Sequence, residues 1–183
     1  MRIIAGVDEV GRGCIAGPVV AAAVILQANI EGIKDSKKLS EKKRNELSEL
    51  IKNHSIYSFG LSSNDEIDEF NIQNATFLAM QRAVKNLSVQ PKKILVDGNQ
   101  VFETNLPIEA IVGGDNLITS ISAASIIAKV YRDKIMQDLA AKFPHYSFEK
   151  HKGYPTKQHY EAIKYHGICE FHRKSFKGVL RGE

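Results

Sequence analysis

The chain has 183 residues, 43% of them hydrophobic and 25% charged, with a formal net charge of +4; that is enough for one well-cored domain and too apolar for a disordered segment. No run is long enough to span a bilayer, and the first residues carry no basic segment leading into an apolar stretch, so a membrane or secreted protein is not expected. The two cysteines, Cys14 and Cys169, lie far apart without metal-type spacing, as in a reduced, cytoplasmic protein.

In chain order, residues 2–8 and 18–26 read as strands, and the glycine-containing loop between them suits an antiparallel hairpin. Ser40 opens a helix in which Leu47, Leu50 and Ile51 recur at helical spacing. Residues 56–61 suit a third strand. Asn64 reads as the cap of a short acidic helix ending near Phe70, and residues 74–87 form a second helix with Phe77, Leu78, Met80, Ala83, Val84 and Leu87 on its apolar side. Pro91 ends it, Lys93 to Val96 leads a fourth strand into Asp97, and Ile108 to Val112 is a fifth. A long helix is expected over 117–142, carrying Leu117, Ile121, Ala124, Ala128, Tyr131, Ile135 and Leu139, and another over 156–166. Five strands interleaved with helices, short gaps and no repeat predict a single α/β domain over 1–183, a mixed sheet flanked by helices.

The charge is unevenly placed. From Lys150 onward there are 8 Lys/Arg against 3 Asp/Glu, with four histidines besides, while the first 149 residues are nearly neutral. A basic segment at about 150–183 suggests a polyanionic partner, with Lys150, Lys152, Lys157, Arg173 and Lys174 as expected phosphate contacts; a solvated tail is the plain alternative.

The chemistry is concentrated at strand ends. GVDEVGRGCIAGP closes an apolar strand with Asp8 and Glu9, and KKILVDGN closes another with Asp97. If the first and fourth strands are parallel neighbours, both ends reach the edge of the sheet where α/β proteins bind ligands. Asp115, in GGDN, starts the long helix beside that edge. Taken singly, Asp115 could be a helix cap and Asp97 a turn residue before Gly98. Together with Asp8 and Glu9 they would crowd like charges into one spot, which costs stability unless a cation is present. An all-oxygen set suits Mg²⁺ or Mn²⁺, and two such ions can serve phosphoryl hydrolysis.

The loop after Glu9 matches neither the Walker nor the dinucleotide pattern. Gly11 and Gly13 let the backbone approach a ligand, and Arg12 offers a planar fork to phosphate oxygens; a plain hairpin turn with a surface arginine is the alternative. In HKGYPTKQHY, Tyr154 sits in a turn among basic residues and could stack on a sugar or base, or pack in a core. Lys37 and Lys38, in DSKKLSEKKR, add to the basic residues around a helix start.

In order and spacing, GVDEVGRGCIAGPVV, DSKKLS, VDGN, GGD, ISAASIIAKVYRD and HKGYPT resemble bacterial ribonuclease HII, and HGICEFHRKSF near the end is also familial. The resemblance covers nearly the whole chain. It implies a ribonuclease H-like fold with additional C-terminal helices, and a Mg²⁺- or Mn²⁺-dependent endonuclease with two ions in the substrate complex. Such an enzyme cleaves the RNA strand of RNA–DNA hybrids and cuts 5′ of single ribonucleotides in duplex DNA, leaving 5′-phosphate and 3′-hydroxyl ends. Carried over, Asp8, Glu9, Asp97 and Asp115 are the catalytic carboxylates and metal ligands. Gly11, Arg12 and Gly13 contact the 2′-hydroxyl and phosphates, Tyr154 stacks on the deoxyribose just 3′ of the ribonucleotide, and Lys37 and Lys38 lie near the backbone. The related ribonuclease HIII usually has Lys at the Arg12 position and an extra N-terminal domain, so the match favours HII. A cytoplasmic monomer acting on RNA–DNA hybrid and on ribonucleotide-containing DNA, without a membrane partner, is expected. The rival readings are a non-catalytic hybrid-binding module and a Mg²⁺-dependent small-molecule phosphohydrolase.

Overall fold

The structure, a computed structural model, describes residues 3–33 and 39–180. Five strands, β1 (Ile4–Val10), β2 (Val19–Leu26), β3 (Ser55–Ser62), β4 (Lys93–Asp97) and β5 (Ile108–Ile111), form one sheet in the order β3-β2-β1-β4-β5. β1 is antiparallel to β2 and parallel to β4, and β4 is parallel to β5. The mixed five-stranded sheet expected from the sequence is present, and the register Val7↔Val96 brings Asp8 and Asp97 to the same end of neighbouring strands.

Among the described residues, six α-helices accompany the sheet: α1 (Glu41–Asn53), α2 (Asn64–Lys85), α3 (Gly114–Leu117), α4 (Thr119–Lys142), α5 (Phe148–His151) and α6 (Lys157–His166). Side chains alternate across a strand, and the two faces of β1 and β2 pack accordingly. Val7, Val19, Ala21 and Ala23 pack with Ile67, Ala75, Ala79 and Met80 of α2. Val20, Ala22 and Val24 pack on the other face with Leu47 and Ile51 of α1 and with Ala123, Ala124 and Ile127 of α4. At Gly6 the contact with α4 is so close that a Cβ would lie 2.2 Å from the backbone of Ser120. A third core joins Ile15 and Ala16 of the β1–β2 loop to Met136 and Leu139 of α4, and to Tyr146, Phe148, Ile163 and Val179. The C-terminal segment therefore packs beneath the loop that follows β1.

Several local expectations change. Ser40 caps α1 as expected, accepting from Lys43 N. For α2 the cap is Ser63 rather than Asn64, because Ser63 and Glu66 close a capping box and Glu66 also pairs with Arg82 at 2.6 Å. The two expected helices are one element broken at Asn71 (φ 67°, ψ 164°), whose Oδ1 accepts from the amides of Gln73 and Asn74 and so caps the second half. Leu117 is 63% exposed, since residues 114–117 form a separate turn, and the long helix begins at Thr119. Tyr131, on the outer side of that helix, is partly exposed and stacks on Phe59 at 4.2 Å.

Candidate active site

Asp8 and Glu9 lie near the end of β1, just before Val10 and the loop at Gly11. Alternation sends Asp8 to the α4 face, with Gly6 and Val10, and Glu9 to the α2 face. Asp8 is 5% exposed. Burial, then the neighbouring Glu9 and Asp97, hold its carboxyl well above the usual range, and the hydroxyl of Ser125 on α4 opposes that shift. Its Oδ1 accepts from the Glu9 amide at 2.7 Å. Glu9 is also raised, chiefly by burial; Arg12 draws it back down and Asp97 pushes it up.

Asp97 ends β4, and its Oδ1 accepts the amide of Asp115 at 3.2 Å. That bond ties the third carboxylate to the fourth. Asp115 is not the cap of the long helix, whose N-cap is Ile118. It lies in the α3 turn behind Gly113, which takes a left-handed conformation (φ 67°), and Ser122 of α4 donates to its carbonyl. The turn is what carries Asp115 back over the end of β4.

The side chains do not form a closed cage. Among the described residues no three His, Cys, Asp or Glu side chains stand together as a ready metal-binding group. Strand alternation starts Asp8 and Glu9 on opposite faces of β1, although their carboxyls still act on one another. The residues nevertheless fit a hard divalent ion: the donors are all carboxylate oxygens, and Glu9 Oε2 is buried with no hydrogen-bond partner.

Arg12 folds over this edge. Its guanidinium pairs with Glu9 Oε1 at 3.3 Å and donates to Gln73 Oε1 at 2.7 Å. Gln73 is held there by the break at Asn71, a conformation costly for any residue but glycine. No sequence pattern marks Gln73, and Ser125, although it lies in the ISAASIIAKVYRD stretch, carries no local sign of a role there; each reaches the site only because α2 and α4 cross β1.

The loop and Tyr154 are brought together. Ile15 N–H donates to Gly153 O at 2.9 Å, and the Cys14 thiol lies beside both Lys152 O and the Tyr154 side chain. Cys14 is fully buried, and burial raises its thiol, so it is packing rather than a nucleophile. Tyr154 is 40% exposed, with one side against the loop and the other in solvent. Lys37 and Lys38 lie outside the described residues.

The C-terminal basic segment divides. Lys150, Lys157 and Lys174 are exposed, but Arg173 is fully buried and cannot meet a phosphate. It donates instead to the carbonyls of Gly11, Arg12 and Gly17. Arg132 of α4 is buried in the same way, donating to Pro18, Lys152 and Ala16 carbonyls. Nor do the histidines all add charge. His159 and His172 are fully buried and meet Nε2 to Nε2 at 3.1 Å; burial lowers both to about 4. Since Cys169 N–H donates to His172 Nδ1 and the Tyr154 carbonyl faces His159 Nδ1, the neutral pair passes hydrogen bonds one way, from Cys169 through both rings to Tyr154.

Residues 5–179 match the family model for ribonuclease HII. The chain belongs to the ribonuclease HII family. A ribonuclease HII of Shewanella pealeana is 57% identical over 178 residues, covering 96% of this chain and 88% of the relative. The ribonuclease H2 of Pyrococcus horikoshii superposes with a TM-score of 0.83 at 28% identity, over 98% of this chain and 96% of that one. Bst-RNase HIII, solved in complex with Mn²⁺, shares the fold at a TM-score of 0.71 and 17% identity, over 98% of this chain and 68% of its own. Ribonuclease HII membership carries the enzyme class, a ribonuclease H endonuclease, and the ribonuclease H-like fold is the one described above. Among the described residues no helix is long and apolar enough to cross a membrane.

Proposed function

We propose that this ribonuclease H cleaves the RNA strand of RNA–DNA hybrids and cuts 5′ of single ribonucleotides in duplex DNA, using Mg²⁺ or Mn²⁺ held by Asp8, Glu9, Asp97 and Asp115. The observation that carries the reading is the parallel β1–β4 pairing. It sets Asp8 beside Asp97, with Asp97 bonded to the Asp115 amide and one buried oxygen of Glu9 left without a partner. The manganese complex of the related HIII structure supports a divalent ion in this fold. The chemistry that two such ions supply when bound is activation of a water for in-line attack and stabilisation of the departing 3′-oxygen.

The chain's own residues do the rest. The four carboxylates hold negative charge on rigid strand ends and a tight turn. Arg12 is placed to leave Glu9 for a phosphate oxygen, since its bond to Glu9 is long and partly exposed. The Gly11–Gly13 backbone reads a 2′-hydroxyl without regard to base, the one group that separates RNA from DNA at a site. Tyr154, beside the loop, packs on the next sugar where no 2′-hydroxyl intrudes. Lys37 and Lys38 are proposed to lie along the backbone.

The test uses end-labelled duplexes with one ribonucleotide, with a full RNA strand and with DNA only, alongside nucleoside monophosphates, in Mg²⁺ or Mn²⁺. Cleavage 5′ of the ribonucleotide and none of the all-DNA duplex is expected. Hydrolysis of the monophosphates instead, or binding without cleavage, would overturn the reading.

A further inference from the structure

Arg173 joins the loop through both its side chain and its backbone. Nε donates to Gly17 O at 3.0 Å, Nη1 to Arg12 O at 3.0 Å, and Nη2 to Gly11 O at 2.7 Å and Gly17 O at 2.8 Å. Its amide donates to Ile15 O at 2.9 Å, His172 bridges to Ala16, and the Phe176 ring covers the guanidinium at 5.1 Å. Burial lowers Arg173 only to about 10, so it is charged at neutral pH.

This arrangement dictates where the loop's donors point. In a trans peptide the C=O and the following N–H are opposed. The Gly11 carbonyl shares a peptide with the Arg12 amide, and the Arg12 carbonyl shares one with the Gly13 amide. With both carbonyls turned inward to one guanidinium, both amides turn outward from an exposed turn. Neither amide donates to any described residue.

The two glycines then have different reasons. Gly11 takes φ +93°, and a Cβ there would lie 2.2 Å from the Arg132 side chain, so the protein's own packing requires it. At Gly13 a Cβ would meet nothing within 4 Å. Internal packing does not call for glycine there, and the position is open to close approach from outside.

We propose that Arg173 is a positioning residue for sugar recognition: by fixing the carbonyls of Gly11 and Arg12 it aims the paired amides of Arg12 and Gly13, and so sets the preference for ribose over deoxyribose at the bound nucleotide. This rests on the reading that the loop meets the 2′-hydroxyl. A lysine would keep the charge but has no planar fork to span three carbonyls. Arg173→Lys and Arg173→Met are compared with wild type for cleavage of a duplex with one ribonucleotide and for binding of an all-DNA duplex of the same sequence. Both variants should lose tenfold or more in kcat/KM on the ribonucleotide duplex, with all-DNA binding within about twofold of wild type. Wild-type kinetics in Arg173→Lys, or equal losses on the two duplexes, would overturn the proposal.

Should neither variant fold, NMR of the wild type decides. The Arg173 Nε proton should exchange slowly, and the Arg12 and Gly13 amide resonances should shift with the ribonucleotide duplex and not with all-DNA. A freely exchanging Nε proton, or equal shifts with both duplexes, would overturn it. Wild type that does not cut at the ribonucleotide removes the underlying functional reading; wild type that cuts normally beside an unimpaired Arg173→Lys removes this inference alone.

Discussion

At the end of β1, Asp8 is buried and Glu9 half-buried with more negative charge than their surroundings neutralise, and a buried oxygen of Glu9 has no partner. Behind the loop that follows β1, Arg132 and Arg173 are more deeply buried still, yet main-chain carbonyls answer them with seven hydrogen bonds in all. The fold thus leaves one carboxylate oxygen unanswered, while it completes the arginines itself. Buried charge fits the proposed metal-binding role in the first case and serves loop architecture in the second, and the satisfied bonds tell them apart.

The largest effect should come from the carboxylate side. Asp97→Asn should lower turnover by roughly a thousandfold or more, the upper range for removing one electrostatic stabiliser, while duplex binding and folding hold. The same substitution should weaken stabilisation by added Mg²⁺ or Mn²⁺, which for wild type is about 2.7 kcal/mol at a hundred times Kd. Near-normal turnover by Asp97→Asn would place the ions elsewhere, and thermal melts across a metal titration check the second point.

Acid should separate the two regions next. His159 and His172 titrate near 4 when folded and near 6.5 when unfolded, so the unfolded chain binds more protons between those values. Their contribution is complete above pH 6.5 and is lost as pH falls towards 4, and because the two rings share a hydrogen bond it is lost as a pair. Asp8 and Glu9 have raised values and the opposite sign: their contribution is present below the ordinary carboxyl range and is lost as pH rises through the raised values. Asp8→Asn removes part of that offset and should steepen the acid loss. Urea midpoints from pH 7 to 4 test this, and a flat profile would contradict the neutral histidine pair.

Tyr154→Ala should cost about 1–3 kcal/mol on an RNA–DNA junction if stacking sets the effect, and less on a continuous RNA strand. Equal losses on the two substrates would make Tyr154 a packing residue of the loop. The smallest effect concerns the basic segment. Replacing exposed Lys150 and Lys174 by Gln should make the salt slope of log affinity shallower, by up to about 0.9 per lost phosphate contact. Arg173→Lys should leave that slope unchanged, because Arg173 meets carbonyls and no solvent.

The sequence by itself determined the sheet, four of its strand ends and the candidate carboxylates. Continuous apolar runs that stop at Asp8 and Asp97 already specify strands delivering acids to an edge, and the ordered motifs place the chain in its family. It also showed the break near Phe70, since a helical pattern pauses there, though not that Ser63 and Asn71 supply the two caps. What only tertiary structure decided is which charges are paid for internally. Arg173 and Lys174 are adjacent in sequence and alike in composition, yet one lies under the loop and the other in solvent. His159 and His172 look like part of a basic tail until the third core closes around them. Gln73 lies in no motif and Ser125 in one that does not point to Asp8; they reach Arg12 and Asp8 through helices that cross the sheet. Local pattern encodes which face of a strand or helix a residue occupies. The partner that face meets depends on contacts between segments as far apart as residues 11 and 173, and those exist only once the chain is packed.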